Sequence, residues 1–456
     1  MTLATLIVGC SPAENHSDIV INNVTVIDAA SEPRPKRSVV VRNDRIFAVN
    51  PALSTEAAAA ENVIDATDKY LIPGLWDMHV HFLYEPKLTE HMADLFLQYG
   101  VTSVRDTGGN LEELVLLRER LRQRARPTPR VYFSGPLLDG QFPVYDGSDP
   151  ARPALGIDVA TRAAAHARVK ALKAAGADLI KIYELVQPDV YQALVDAARS
   201  ENLPIASHVP LMLTADQAGP LADSMEHLRN IELACASNWR DLLQQRRATF
   251  TAFTEGLGYD LRRSLHSAQR LPAIAAYDEN RCNTVLDTLQ NTTQVPTLRL
   301  NTVFQEQPWH REDWPQALAG LPQDVIKQWQ SQIDFVSNSA APPDRRFADW
   351  SMFLISRLLA RQVPVAAGTD TPIGLGIPGY SLHTELELLV AGGLTNQQAL
   401  HAATIAPTKF FSNSDAMGRI APGMVADLVL LDANPLQDIR NTRRIEAVMV
   451  DGAWVN

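Results

Sequence analysis

An α/β fold, a (β/α)8 or TIM barrel with a small β-sandwich domain formed by both chain ends, is what the sequence of this 456-residue chain predicts. Two observations carry the prediction. Between residues 71 and 410, short β-rich runs recur eight times, with helical stretches between most of them. Outside that span, residues 18–70 and 411–456 alternate β-branched with polar residues between turn signals, as short antiparallel strands do. The length agrees, because it exceeds what one compact core usually covers.

In chain order the candidate strands are "GLWDMHVHF" at 74, "VTSVRD" at 101, "RVYFSG" at 130 and "ADLIKIY" at 177, then "LPIASHV" at 203, "SMEHLRN" at 224, "VPTLRLN" at 295 and "VPVAAGTD" at 363. "ATRAAAHARVKALKAAG" and "QPDVYQALVDAARSEN" are two of the intervening helices. Residues 232–345 exceed a minimal strand-helix unit and read as a helical insertion over the barrel mouth, where loops carry function. "LLDGQFPVYDGSDP", residues 137–150, is rich in Gly, Pro and Asp and reads as a mobile rim loop. Thr395 and Gln398 have capping-box spacing at a helix start, and Trp76 and Phe82 read as packing residues.

With 46% hydrophobic and 20% charged residues, the composition is that of an ordinary globular protein. A net charge of −11 argues against nucleic acid as a partner, since phosphate contacts need a basic face. No run of 18 apolar residues is present, so no transmembrane helix is expected. The three cysteines, Cys10, Cys235 and Cys282, are too few and scattered for a disulfide framework or a Cys-based zinc site. "LATLIVGCSPAENHS" resembles the lipid-attachment box of a bacterial lipoprotein signal, with Cys10 as the anchor. That would place the mature protein in the periplasm or on a membrane surface. No Lys or Arg precedes the apolar part, however, and a plain disordered tail over residues 1–17, on a cytoplasmic protein, is the other reading.

The chemistry starts at His79 and His81. Residues two apart on a strand share a face, so both imidazoles project to one side. Two buried imidazoles need partners: a divalent metal, or hydrogen bonds within the core. Lys181 stands in mid-strand, where burial costs several kcal/mol or lowers the pKa. A neutral amine can add carbon dioxide and become a carbamate, an anion able to bridge two cations; the other reading is a strand-end lysine reaching solvent. His208, His227 and Asp370 each close a predicted strand. Six such side chains at strand ends are an improbable accident, and His and carboxylate are ligands that zinc and similar metals take.

The order H-x-H, Lys, His, His, Asp, preceded by "LIPGLWDMHVH", resembles the amidohydrolase superfamily. "LHTELELLVAGGLTNQQALHAAT" followed by "GRIAPGMVADLVLLDANPLQDI" is similar to its branch of prolidase-like dipeptidases and imidazolonepropionase-like proteins. The resemblance implies that His79, His81 and Asp370 hold one metal and that His208 and His227 hold a second. Carboxylated Lys181 would bridge the two, and the usual metal is Zn2+. It further implies a metal-dependent hydrolase of amide or peptide bonds, with dipeptides, Xaa-Pro among them, or N-acyl amino acids as small-molecule substrates. The nucleophile would be a metal-bridging hydroxide, with Asp370 passing its proton to the departing nitrogen. Tyr183, Arg229 and His383 are candidate substrate-binding residues; the other readings are barrel-top packing for Tyr183, a surface arginine for Arg229 and a solvent-facing helix start for His383. Arg229 would anchor a carboxylate, and Tyr183 would donate to the carbonyl oxygen. Two other functions stand beside this one: hydrolysis of cyclic amides, ureas or carbamates, including xenobiotic ones, and an inactive barrel serving as a binding scaffold. Members of the family often form homo-oligomers.

Overall fold

The structure, a computed structural model, describes residues 18–53, 62–149, 152–338, 343–413 and 415–455. The Cys10 box lies outside the described residues. Among the described residues, no helix is long and apolar enough to cross a membrane.

The centre is built from two parallel sheets. One has three strands, in the order Leu75–Val80, Val101–Asp106, Arg130–Phe133. The other has six, in the order Gly156–Asp158, Leu137–Asp139, Ile180–Ile182, Ile205–Ser207, Ser224–Glu226, Thr293–Val295. All residues of Leu75–Val80 and of Val101–Asp106 are buried, the mark of parallel strands covered on both faces. Helices such as Arg162–Ala174 and Pro188–Ser200 fall where the sequence places them; Pro188–Ser200 packs on Ile180–Ile182, and Thr89–Gln98 on Val101–Asp106.

Three of the eight expected strands differ from the prediction. The third is broken: Gly135, at φ 72°, turns the chain after Arg130–Phe133, and Leu137–Asp139 resumes in the other sheet. The seventh ends early. Thr297 sits at φ 46°, and "LRLN" opens the helix Leu298–Glu306 instead of continuing the strand. The eighth, "VPVAAGTD", forms no continuous strand, and no closed eight-stranded barrel is found among the described residues. Its backbone nonetheless bonds to both sheets. The Ala366 N–H donates to Gln294 O at 2.9 Å, while Met78 N–H donates to Ala367 O at 2.9 Å and Asp370 N–H to His79 O at 2.7 Å.

The two chain ends pair as expected, but in one sheet rather than in a sandwich of two. Its eight strands run Ala453–Trp454, Ile445–Val450, Leu428–Leu431, Tyr70–Pro73, Ile19–Val26, Arg34–Arg42, Arg45–Pro51, with Val63–Asp65 also on Ile19–Val26. Ile21, Val39, Leu71, Leu428 and Met449 meet in one buried cluster, so residues from both ends of the chain close a common core. That sheet joins the centre where Leu428–Leu431 pairs with Tyr70–Pro73, directly before the strand that carries His79.

In the stretch 232–345 the helices Trp239–Ala252, Gly258–Ala275 and Glu279–Thr288 precede the strand Thr293–Val295, and further helices follow it. Cys235 and Cys282, 47 residues apart, form a disulfide within it, a pairing that their spacing did not suggest. The rim loop is better held than its composition predicts. The buried Asp139 carboxylate accepts from the N–H groups of Gly140 (3.0 Å), Val144 (3.0 Å) and Leu185 (2.7 Å), which pins the base of the loop. The capping box of Thr395 and Gln398 is present.

Candidate metal centre

Five elements bring the six predicted residues together at one end of the parallel sheets. His79 lies in Leu75–Val80 and His81 just beyond it, Lys181 is the middle residue of Ile180–Ile182, and His208 follows Ile205–Ser207. His227 follows Ser224–Glu226, and Asp370 ends the 363–370 segment. All six are buried. Asp370 (φ 62°) and His227 (φ 65°) have left-handed backbone, as does Leu228 (φ 58°). Such conformations cost about 1–3 kcal/mol each and persist where surrounding structure holds them, commonly at functional sites.

The rings are contiguous. Centroids are 4.5 Å apart for His79 and His227, 4.7 Å for His208 and His227, and 5.3 Å for His79 and His81. Ligand atoms of His79, His227 and Asp370 all lie within 4.8 Å of one another. Thus His227, assigned by the resemblance to the second metal, also stands within reach of the first.

Each histidine spends its Nδ1 on an outward hydrogen bond. His79 Nδ1 meets Glu226 Oε2 at 2.6 Å, His81 Nδ1 meets Gly108 O at 3.0 Å, His208 Nδ1 meets Glu184 Oε1 at 2.8 Å and His227 Nδ1 meets Thr297 Oγ1 at 2.7 Å. Carbonyl and carboxylate oxygens can only accept, so at His79, His81 and His208 Nδ1 carries the proton and Nε2 of the neutral ring keeps its lone pair. At His79 and His81 that lone pair faces an anion. Asp370 Oδ1 lies 3.2 Å from His79 Nε2 and 3.1 Å from His81 Nε2, and this buried oxygen has no hydrogen-bond partner. Three acceptors crowded together call for positive charge between them. The pKa shifts report the same field. Burial opposes charge on His81, but the Asp370 carboxylate outweighs it and raises the ring's pKa. Asp370, despite its burial, is held well below the usual carboxylate range by the His79 and His227 rings. A divalent cation answers that field better than a shared proton, and the donor set of imidazole and carboxylate fits zinc-like ions.

Lys181 is the second sign. Its ammonium is fully buried, Nζ has no hydrogen-bond partner, and the nearest carboxylate oxygen, Glu226 Oε1, is 4.0 Å away. Burial pushes its pKa down to about 7. The two remaining pairs of acid and base are structural supports that the sequence reading missed. Arg105 donates to both oxygens of Glu226, at 2.9 and 3.0 Å, and to Met78 O. Arg262 donates to Glu184 Oε1 at 2.8 Å. Glu226 escaped notice because strict alternation points it away from His227; the left-handed turn at His227 breaks that alternation, and both side chains reach the site. Glu184 and Arg105 did leave a signal, as charged residues inside apolar strand runs.

The substrate candidates divide. Tyr183 is buried, with its ring 4.4 Å from His208, and burial raises its pKa so that its O–H stays a donor. Arg229 lines the same cavity of about 190 Å3, together with Arg262, Tyr145 and Tyr259. His383 does not face it. The first turn of Tyr380–Ala391 directs the ring into the core, with Nδ1 on Thr442 Oγ1 (2.8 Å) and Nε2 on Tyr99 O (3.0 Å), so both nitrogens are used far from the cavity.

A model of the Amidohydrolase family matches residues 351–455, the stretch that contributes Asp370 and the closing strands. Over that stretch the chain is similar to the Amidohydrolase family. Among curated relatives, an adenine deaminase of Desulforamulus reducens is 32% identical over 90 residues, 19% of this chain and 14% of that protein. The chain therefore matches only about a seventh of that relative's length. The fold likeness is far more extensive. A solved Xaa-Pro dipeptidase with methionine in its active site aligns over 96% of this chain and 99% of its own, with a TM-score of 0.68 and 20% identity. A bottromycin amidohydrolase aligns over 96% of this chain and 87% of its own, with a TM-score of 0.71 and 22% identity.

Proposed function

We propose that this protein is a metal-dependent hydrolase of carbon–nitrogen bonds whose substrates are small amides with a free carboxylate, the N-acyl amino acid or dipeptide class, Xaa-Pro included. The observation that carries the reading is the cluster of acceptor atoms around the unpartnered Asp370 Oδ1, with the unpartnered Lys181 Nζ buried beside it. His79, His81 and Asp370 would hold one cation, His208 and His227 the other, and carboxylated Lys181 would lie between them. Bound there, the cations polarise a carbonyl and lower the pKa of water. On this reading the two parallel sheets and segment 363–371 act as one barrel over residues 71–410, and the terminal sheet of 18–70 and 411–456 is its satellite.

The chain's own groups would supply the rest. Asp370, anionic by its environment, accepts a proton and returns it to the departing nitrogen, since an amine leaves far more readily than an amide anion. Tyr183 donates to the carbonyl oxygen. Arg229 gives the cavity a cation for the substrate carboxylate. The cavity's volume suits one small amino acid and a short acyl group rather than a long peptide. A solved Xaa-Pro dipeptidase of similar fold supports the substrate class.

The test is metal analysis followed by a substrate panel. About two equivalents of metal per chain and chelator-sensitive cleavage of N-acyl amino acids or Xaa-Pro dipeptides are expected. Cleavage confined to cyclic ureas or aryl carbamates would replace the substrate class, and a protein that takes up no metal would leave the scaffold reading. Arg229→Met is expected to raise KM for carboxylate-bearing substrates by about 10- to 100-fold, as loss of a charged hydrogen bond does, while sparing neutral amides. Steady-state kinetics on matched acid and amide substrates checks this; equal effects on both remove the anchor.

A further inference from the structure

The insertion helix Gly258–Ala275 sets Tyr259, Arg262, His266 and Arg270 three and four residues apart, hence on one face. That face meets Glu184, the residue after Tyr183. Arg270 approaches His266 Nδ1 with a terminal N–H at 3.2 Å, His266 Nε2 lies 2.5 Å from Glu184 Oε2, and Glu184 Oε1 lies 2.8 Å from His208 Nδ1. The direction of this chain is fixed at its outer end. A guanidinium only donates, so His266 Nδ1 accepts; Nε2 therefore carries the proton and donates to Glu184. The carboxylate then accepts from His208, which leaves the lone pair on His208 Nε2, the side facing the cluster. Arg270 is itself held, stacked 4.1 Å from the Phe347 ring and 3.7 Å from Glu232 Oε1. His79 has a counterpart in Arg105–Glu226, but both of those residues come from the central strands. Among the described residues, the His208 chain runs out to the helix Gly258–Ala275, whereas the outward bond of His227 stops at Thr297, beside the strand Thr293–Val295.

We propose that the insertion helix is a positioning element of the metal site: Arg270, His266 and Glu184 fix the tautomer and orientation of His208, and through it the affinity of the second cation. The proposal rests on the metal-dependent reading for its consequence, though not for the tautomer. His266 and Arg270 are positioning residues, remote from any reacting atom.

The experiment compares His266→Phe, which removes the N–H donor at nearly constant shape, with His266→Gln, which restores one. Zn2+ affinity is read by competition with a graded chelator on the full-length protein, alongside thermal unfolding. In His266→Phe, one of two ions is expected to bind about 10- to 100-fold more weakly, as loss of an outer hydrogen bond to a metal-ligating histidine produces. The other ion and the melting temperature stay near wild type, and His266→Gln recovers most of the loss. Both ions held as in wild type, or a Gln variant no better than Phe, overturns the proposal. Should His266→Phe not fold, Arg270→Met takes its place: a weaker but measurable loss supports the chain, and none overturns it. Selective 15N-histidine labelling of the metal-free protein separates the two readings. His208 is expected as the Nδ1–H tautomer in both proteins, because the Glu184 carboxylate accepts from it with or without His266, but its ring 15N resonances are expected to shift in His266→Phe as that carboxylate loses a donor. Unshifted His208 resonances sink the positioning chain, while a wild type that binds no Zn2+ sinks the functional reading and leaves the resonance shift standing.

Discussion

Asp370→Asn is expected to lower kcat by about 10^2- to 10^4-fold, the range that loss of a positioned general acid–base group commonly costs, or roughly 3–5 kcal/mol in the barrier. The change is nearly isosteric, and the site explains why it should still be severe. Asp370 Oδ1 is buried, lacks a hydrogen-bond donor and faces two imidazole Nε2 atoms at 3.1 and 3.2 Å. The His79 and His227 rings hold its pKa well below the ordinary carboxylate range, which favours the anion. An amide at this position carries no charge and cannot accept and return the proton. If its N–H2 turns toward a ring Nε2, it also blocks a lone pair meant for a cation. Some metal should be retained, because three histidines near the first site are untouched. The measurement is kcat beside metal content on the same preparation: near-normal metal with near-normal turnover would remove Asp370 from the proton path. Loss of metal alone, with turnover restored by added Zn2+, would make it a ligand and nothing more.

How far the sequence disclosed this site depends on what each side chain touches. His79, His81, His208, His227, Lys181 and Asp370 were legible because each is a polar residue at or within an apolar run, where burial without a partner is costly. The α/β class with parallel strands was legible for the same periodic reason, and the pairing of both chain ends followed from their shared alternation, though as one sheet and without a closed barrel among the described residues. What failed is what depends on exact backbone path. Thr297 at φ 46° turns a predicted strand into a helix, and Gly135 at φ 72° splits another between two sheets. The eighth run reads as a strand but makes scattered backbone bonds to both neighbours, which no pattern of side chains announces. His383 shows the limit for site residues: position at a helix start says which turn it occupies, while Thr442 and Tyr99, which capture its ring, are distant in sequence. Arg262 and His266 were hidden in a helix that buries Leu261 and Leu265 in an apolar cluster, while the polar pair beside them turns onto Glu184. The pairing of Cys235 with Cys282 likewise needs the tertiary arrangement of the insertion.

On the proposed reading, Lys181→Ala is expected to cost at least one equivalent of metal and to lower turnover by about 10^3-fold or more, since a carboxylated Lys181 would supply an anionic ligand that no neighbouring side chain replaces. The argument begins with the amine's energetics. An exposed lysine, with pKa near 10.5, is neutral in only about one molecule in several thousand at pH 7, whereas burial brings this one to about 7, so that roughly half is neutral. Carbon dioxide adds only to the neutral amine; a C–N bond forms, Nζ gives up a proton, and a carbamate anion results. Two consequences distinguish this from a merely packed lysine. Uptake should rise with pH through about 7 and reverse on acidification, because the protonated amine has no lone pair to offer. In protein equilibrated with 13C-bicarbonate, NMR should show one carbamate carbon per chain, absent from Lys181→Ala. A short carboxylate such as acetate or propionate, small enough for the space the side chain vacates, should restore part of the activity of the Ala variant by standing in for the lost anion. Neutral molecules of the same size should not. An unlabelled Lys181 in an active, metal-loaded wild type would leave the amine unmodified and require some other bridge between the cations, whereas rescue by carboxylates alone identifies the missing element as negative charge on oxygen at that position.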